Sequence, residues 1–180
     1  MTEFDLTHGR WGAIYMIGTL GSAVVMIWAG ALTDQFRVRR IGAVVIAGMV
    51  AACLFMALNT LVWLLPLAIF ALRLMGQGML SHLAAVSMAR WYVAARGRAL
   101  ALASFGYLLG EALLPIIFVS ALGVIGWRWS WGISALIAIA LLPIMLNLLK
   151  AERTPQAVAC LLYTSPSPRD LSTSRMPSSA

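Results

Sequence analysis

Three side chains pose the chemical question in this sequence. Glu111 sits inside the apolar run ALALASFGYLLGEALLP, and Arg73 opens RLMGQGML in another, with Gln77 four positions on. A charge at the centre of an apolar helix costs about 2.5–3.5 kcal/mol on insertion scales, so each must meet a partner or a water-filled cavity. Glu111 could exchange a proton there, with Arg73 tuning it or holding an anionic solute. The structural alternative is a satisfied polar clasp between two helices.

Depth allows the three to meet. At about 1.5 Å per residue, Glu111 lies roughly 18 Å beyond residue 99, and Gln77 lies equally far from residue 89 on the antiparallel neighbour. Arg73 is one turn beyond Gln77 on the same helix face, so an Arg73–Gln77–Glu111 group is geometrically open. Arg73 could instead snorkel to the outer interface, being about two turns from Pro66. His82, nine positions from Arg73, points to the opposite face and reads as a packed or interfacial histidine in preference to a proton relay.

The elements that must position these groups are membrane helices. Of 180 residues, 62% are hydrophobic and 11% charged, whereas soluble domains are nearer half apolar and a quarter charged. The net charge of +7 does not indicate a nucleic-acid binder, because the cations fall in short gaps between apolar runs. Cys53 and Cys160 suggest neither a disulfide framework nor a metal site, and the ten methionines read as packing. With no phosphate loop and no nucleophile–base set, no enzyme chemistry, cofactor or metal is expected.

Five apolar stretches have the length a helix needs to cross a bilayer: residues 11–32, 41–58, 66–88, 99–122 and 132–149. The connections alternate in charge. Arg37, Arg39, Arg40, Arg90, Arg96, Arg98, Lys150 and Arg153 fall on one side, and only Arg10 and Arg128 on the other. The positive-inside rule makes the first side cytoplasmic. Trp63, Trp91, Trp127, Trp129 and Trp131 fall near the expected interfaces. The first span then runs from outside to inside, and a further helix is expected upstream of Met1.

The connection GALTDQFRVRR, residues 30–40, resembles the loop signature of the major facilitator superfamily between its second and third helices. Gly30, Asp34, Arg39 and Arg40 match it, while Gln35 and Arg37 stand where a base and a glycine are usual. The resemblance implies a charge relay that stabilises one state of an alternating-access cycle; a topogenic basic loop is the plainer reading. Arg73 with Gly76 and Gly78 is similar to the arginine and glycine pair of the family's fourth helix, which implies substrate binding or proton coupling. The segment RW…RGRA resembles the next basic loop. Gly106, Gly110 and Pro115 echo the antiporter helix signature without its full pattern, and Gly106 and Gly110, four apart, would permit close helix packing.

Residues 160–180 differ in kind, being rich in Ser, Pro and Thr. Residues 160–170 and 174–180 reverse-translate into the two constant ends of a transposase-type sequencing adapter, with a short index between. They are expected to be an adapter-derived, disordered artefact, in preference to a Ser/Pro-rich cytoplasmic tail. Residues 1–159 are then expected to be a partial transporter domain: all-α, five transmembrane helices, the equivalents of helices two to six of the N-terminal six-helix half. The intact parent would move a small solute, anionic if Arg73 binds it, as a secondary and proton-coupled transporter of the cell membrane (the inner membrane in a Gram-negative bacterium). The fragment alone would not transport. The alternatives are a five-helix assembly or interaction subunit and, more weakly, a channel.

Overall fold

In lipid every backbone N–H and C=O must find a partner inside the protein, so an apolar chain of this kind has to fold as helices. The computed structural model describes residues 7–92 and 95–150, the side chain of Asp34 excepted. Among the described residues the elements are all helical: α1 (His8–Ala29), α2 (Leu32–Gln35), α3 (Val38–Leu58), α4 (Leu65–Leu72), α5 (Ser81–Trp91), α6 (Arg96–Ile125) and α7 (Trp127–Leu148). A 3₁₀ turn (Val62–Leu64) precedes α4, and a π-helical segment (Arg73–Leu80) joins α4 to α5. Val62–Trp91 is therefore one composite span, and five helices are long and apolar enough to cross a membrane. Residues 160–180 and Arg153 lie outside the described residues.

The span ends differ from the sequence reading for local reasons. The first span stops at Ala29, where Gly30 caps it and turns the chain into the short α2. Asn59 ends α3, and its Oδ1 accepts the Leu61 N–H at 2.9 Å. This side-chain turn carries the chain into the third span. Pro66 lies in the first turn of α4, where its missing N–H removes no helical bond.

The largest departure is between α6 and α7. A connection of several residues was expected there, yet one residue suffices. Gly126 adopts φ 79°, a left-handed conformation that costs glycine nothing. Ser130 Oγ donates to the Gly126 carbonyl at 2.7 Å. Trp127 and Trp131 thereby enter the first turns of α7 and pack against the cluster of Met56, Leu65, Ala68 and Ile69. Their rings meet edge-on at 5.7 Å, and Phe118 meets Trp131 at 5.2 Å. Two tryptophans of the expected interface belt are thus packing residues, while Trp63 and Trp129 are exposed.

The core forms around α3, which packs along α7 and also touches α4 and the π segment. Ile41, Val45, Ala52 and Met56 are buried along it at spacings of four and seven residues, a single helical stripe. α1 packs on α4 and the π segment from the other side, and α6 touches α5 and α7. No residue of α6 is buried.

Lipid tails are as apolar as leucine, so helix association here depends on close packing over small residues. At the α1–α4 crossing backbone itself comes close. A Cβ added to Gly18 would lie 2.8 Å from the Pro66 carbonyl oxygen and 2.9 Å from Ile69 Cγ2. Backbone and a β-branched carbon cannot swing aside as a flexible chain end would. Gly18→Ala is therefore expected to destabilise the bundle by about 1–3 kcal/mol, while Gly132→Ala, with nothing within 4 Å, should be neutral or stabilising. Thermal unfolding of both variants in detergent checks this, and equal midpoints would contradict it.

Candidate functional site

The stretch RLMGQGML is the π segment itself. Two glycines within four residues weaken the α-helical ladder, and single π turns inside α-helices occur often at functional sites. Where the wide turn gives way to α5, the Ser81 N–H donates to the Gly78 carbonyl and the Ser81 hydroxyl bonds that of Gln77.

Methionines seat the segment between α1 and α3. Met75 packs against Gly48 of α3, and Met49 of α3 packs back against Gly76, where an added Cβ would lie 3.2 Å from its methyl. On the other side Gly78 faces Met26 of α1, with the sulfur 3.2 Å from an added Cβ. Gly76 and Gly78 thus lie at close crossings. Gly106 and Gly110 do not: an added Cβ meets nothing within 4 Å at Gly106, and only Leu114 of its own helix at Gly110. α6 has no second helix against that stripe among the described residues.

The three candidate side chains divide into two groups. Tyr107 donates its hydroxyl to Glu111 Oε1 at 2.7 Å, and Gln77 Nε2 lies 3.3 Å from the Tyr107 oxygen and 3.5 Å from the same Glu111 oxygen. Gln77 and Glu111 are therefore brought together, with Tyr107 as a third member. Arg73 is not part of this group. Its Nη2 donates to the hydroxyl of Tyr15 on α1, its guanidinium lies 4.9 Å from the centre of that ring, and its Nε has no partner among the described residues. The geometrically open Arg73–Gln77–Glu111 group is corrected accordingly. The physical reason is which neighbour each long side chain reaches: Arg73 meets the Tyr15 hydroxyl and ring on α1, and Gln77 meets Tyr107 and Glu111 on α6.

Two cavities flank the Gln77 group. One of roughly 820 Å³ lies between α3, α6 and α7, with Glu111, Tyr107, Cys53 and Ser134 on its wall. Another of roughly 400 Å³ lies between α5 and α6 and presents Gln77, Ser81, Ser104 and Tyr107. Tyr107 lines both. The arrangement offers one carboxylate, held by two donors, at the wall of an otherwise apolar space.

In the loop, Gly30 caps α1, and Arg39 and Arg40 are exposed in the first turn of α3. Asp34 lies in α2, and its side chain falls outside the described structure. His82 is not near Arg73's partner; its Nε2 lies 3.1 Å from Thr33 Oγ1 in α2. Sequence reasoning missed Tyr107, Tyr15 and Thr33. Tyr107 had a signal, four residues before Glu111 on the same helix. The other two pair across 58 and 49 residues, a separation no local pattern reports.

The Tyr15–Arg73 contact combines a hydrogen bond with cation–π stacking. Tyr15→Phe keeps the ring and should cost about 1 kcal/mol, whereas Tyr15→Leu loses both and should cost about 2 kcal/mol. Unfolding in micelles, with Arg73→Met as the second arm of a double-mutant cycle, measures the coupling. A coupling near zero would contradict the pairing.

These five spans, with their intramembrane polar groups, correspond to a known family. The family model described as Major Facilitator Superfamily matches residues 1–159. No curated protein and no solved structure matches the chain. The match covers most of the sequence, and the chain belongs to the Major Facilitator Superfamily, whose members carry solutes across membranes.

Proposed function

We propose that these spans serve a secondary transporter that moves a small solute by alternating access, driven by protons, with Glu111 as the group that takes up and releases the proton. The observation carrying this reading is the Glu111 carboxylate, held by Tyr107 at 2.7 Å and by Gln77 at 3.5 Å on the wall of a cavity. Hydrogen bonds to an ionised acceptor are roughly twice as strong as neutral ones. Protonation of Glu111 weakens its hold on both donors, and Gln77 belongs to the π segment while Glu111 belongs to α6. Proton uptake thereby loosens one helix from its neighbour, which is the link that coupled transport requires.

Arg73 serves the solute side in this reading. Its guanidinium is positioned by the Tyr15 ring and keeps a fixed positive charge near the middle of the third span, which favours a solute with an anionic group. Gly30, Asp34, Arg39 and Arg40 would form the cytoplasmic gate. The equivalents of helices two to six do not enclose a two-sided cavity alone, so transport belongs to the intact parent in the cell membrane, and residues 160–180 have no part in it.

The test is uptake by the intact parent in proteoliposomes, with and without an inward proton gradient. The gradient should drive accumulation, and Glu111→Gln should reduce uptake to the gradient-free level while solute exchange across the membrane persists. Equal accumulation in both variants, or uptake indifferent to the gradient, would reject proton coupling through Glu111.

A further inference from the structure

The short helix α2 holds one residue that is almost wholly enclosed. Thr33 is 1% exposed. Its hydroxyl donates to the Gly30 carbonyl at 2.8 Å, which uses the only hydrogen that oxygen has. His82 Nε2 lies 3.1 Å from the same oxygen. With the Thr33 hydrogen on the Gly30 carbonyl, the imidazole serves as the donor in the tautomer that carries its proton on Nε2. Both the neutral and the charged ring can provide it.

A second contact comes from the same helix. Arg90 Nη1 donates to the Thr33 carbonyl oxygen at 3.0 Å. His82 and Arg90 lie eight residues apart in α5, about 12 Å along its axis. They hold Thr33 at two different atoms, the hydroxyl and the main-chain carbonyl. Gly30 leaves room for this: a Cβ there would lie 3.7 Å from His82 Nε2 and 3.3 Å from the Met26 carbonyl oxygen. Two polar contacts on a four-residue helix are decisive locally, because so short a helix cannot hold itself together.

We propose that His82 is a positioning residue for the α1–α3 loop: through Thr33 it pins α2 to α5, with Arg90 as the second point of a clasp. The loop residues Gly30 and Asp34 on either side of Thr33 are then carried with α5 as one body. Opening the clasp frees α2, while α3 stays held by its packing along α7 and by the Ile41, Val45 and Leu83 cluster. That this clasp bears on the transport cycle rests on the transporter reading above; the clasp itself does not.

Hydrogen exchange on the full chain in lipid nanodiscs tests it without any transport assay. The reporters are the amides of Thr33 and Phe36, bonded to the carbonyls of Gly30 at 3.2 Å and Leu32 at 3.0 Å. His82→Leu and Thr33→Val should each speed exchange over residues 30–36 by roughly fivefold to tenfold, with α3 unchanged. The double variant should add nothing to either single one, and His82→Gln, which keeps a side-chain N–H donor, should recover part of the protection. Unchanged exchange in His82→Leu, additive effects in the double variant, or equal acceleration of α3 would each overturn the proposal. A parent that proves not to transport would leave this result standing, whereas loop exchange indifferent to His82 in a working transporter would sink the clasp alone.

Discussion

The requirement that backbone polar groups be satisfied without water governs this molecule. Where the α-helical ladder runs unbroken, nothing else is needed. Each interruption has a device of its own: Gly30 and Thr33 at the first turn, the Asn59 side chain at the second, Ser130 beside Gly126 at the last. Inside the spans the ladder is interrupted by Pro115 in α6, by Pro143 in α7 and by the π segment, whose Gln77 carbonyl accepts from the Ser81 hydroxyl. The segment carries both Arg73, which bonds Tyr15 of α1, and Gln77, which bonds Tyr107 of α6.

The same segment organises the packing. It lies between α1 and α3, and its glycines accept methionines from both. Methionine suits an irregular surface because its unbranched thioether adapts to the gap. The close fit keeps Gln77 within reach of α6, whose own burial is slight. α6 meets the third span along α5, and Gln77 adds a polar link to Tyr107 and Glu111.

At the other end of the third span the logic is similar but the groups differ. α2 is too short to persist by itself, and α5 supplies both contacts on Thr33. One composite span therefore reaches the intramembrane carboxylate through its π segment and the connecting loop through α5.

Much of the fold was legible in the sequence. The membrane composition, the five spans, and the family resemblance in GALTDQFRVRR and RLMGQGML followed from residue type and spacing, because burial in lipid forces long apolar runs and local helices. The Gln77–Glu111 meeting could be anticipated from depth alone, since both lie at similar rises along antiparallel neighbours. Facing could not. An α-helical count puts Arg73 on the Gln77 side, yet the structure seats its guanidinium against the Tyr15 hydroxyl and ring on α1. The tryptophans at 127 and 131 read as an interface belt until the single-residue turn at Gly126 drew them into the core. His82 read as a packed histidine with no stated partner, and Thr33 drew no notice. Composition and period fix what crosses the membrane and roughly where; which side chains meet across 50 residues depends on helix rotation and crossing, and those are set by contacts that exist only once the bundle has packed.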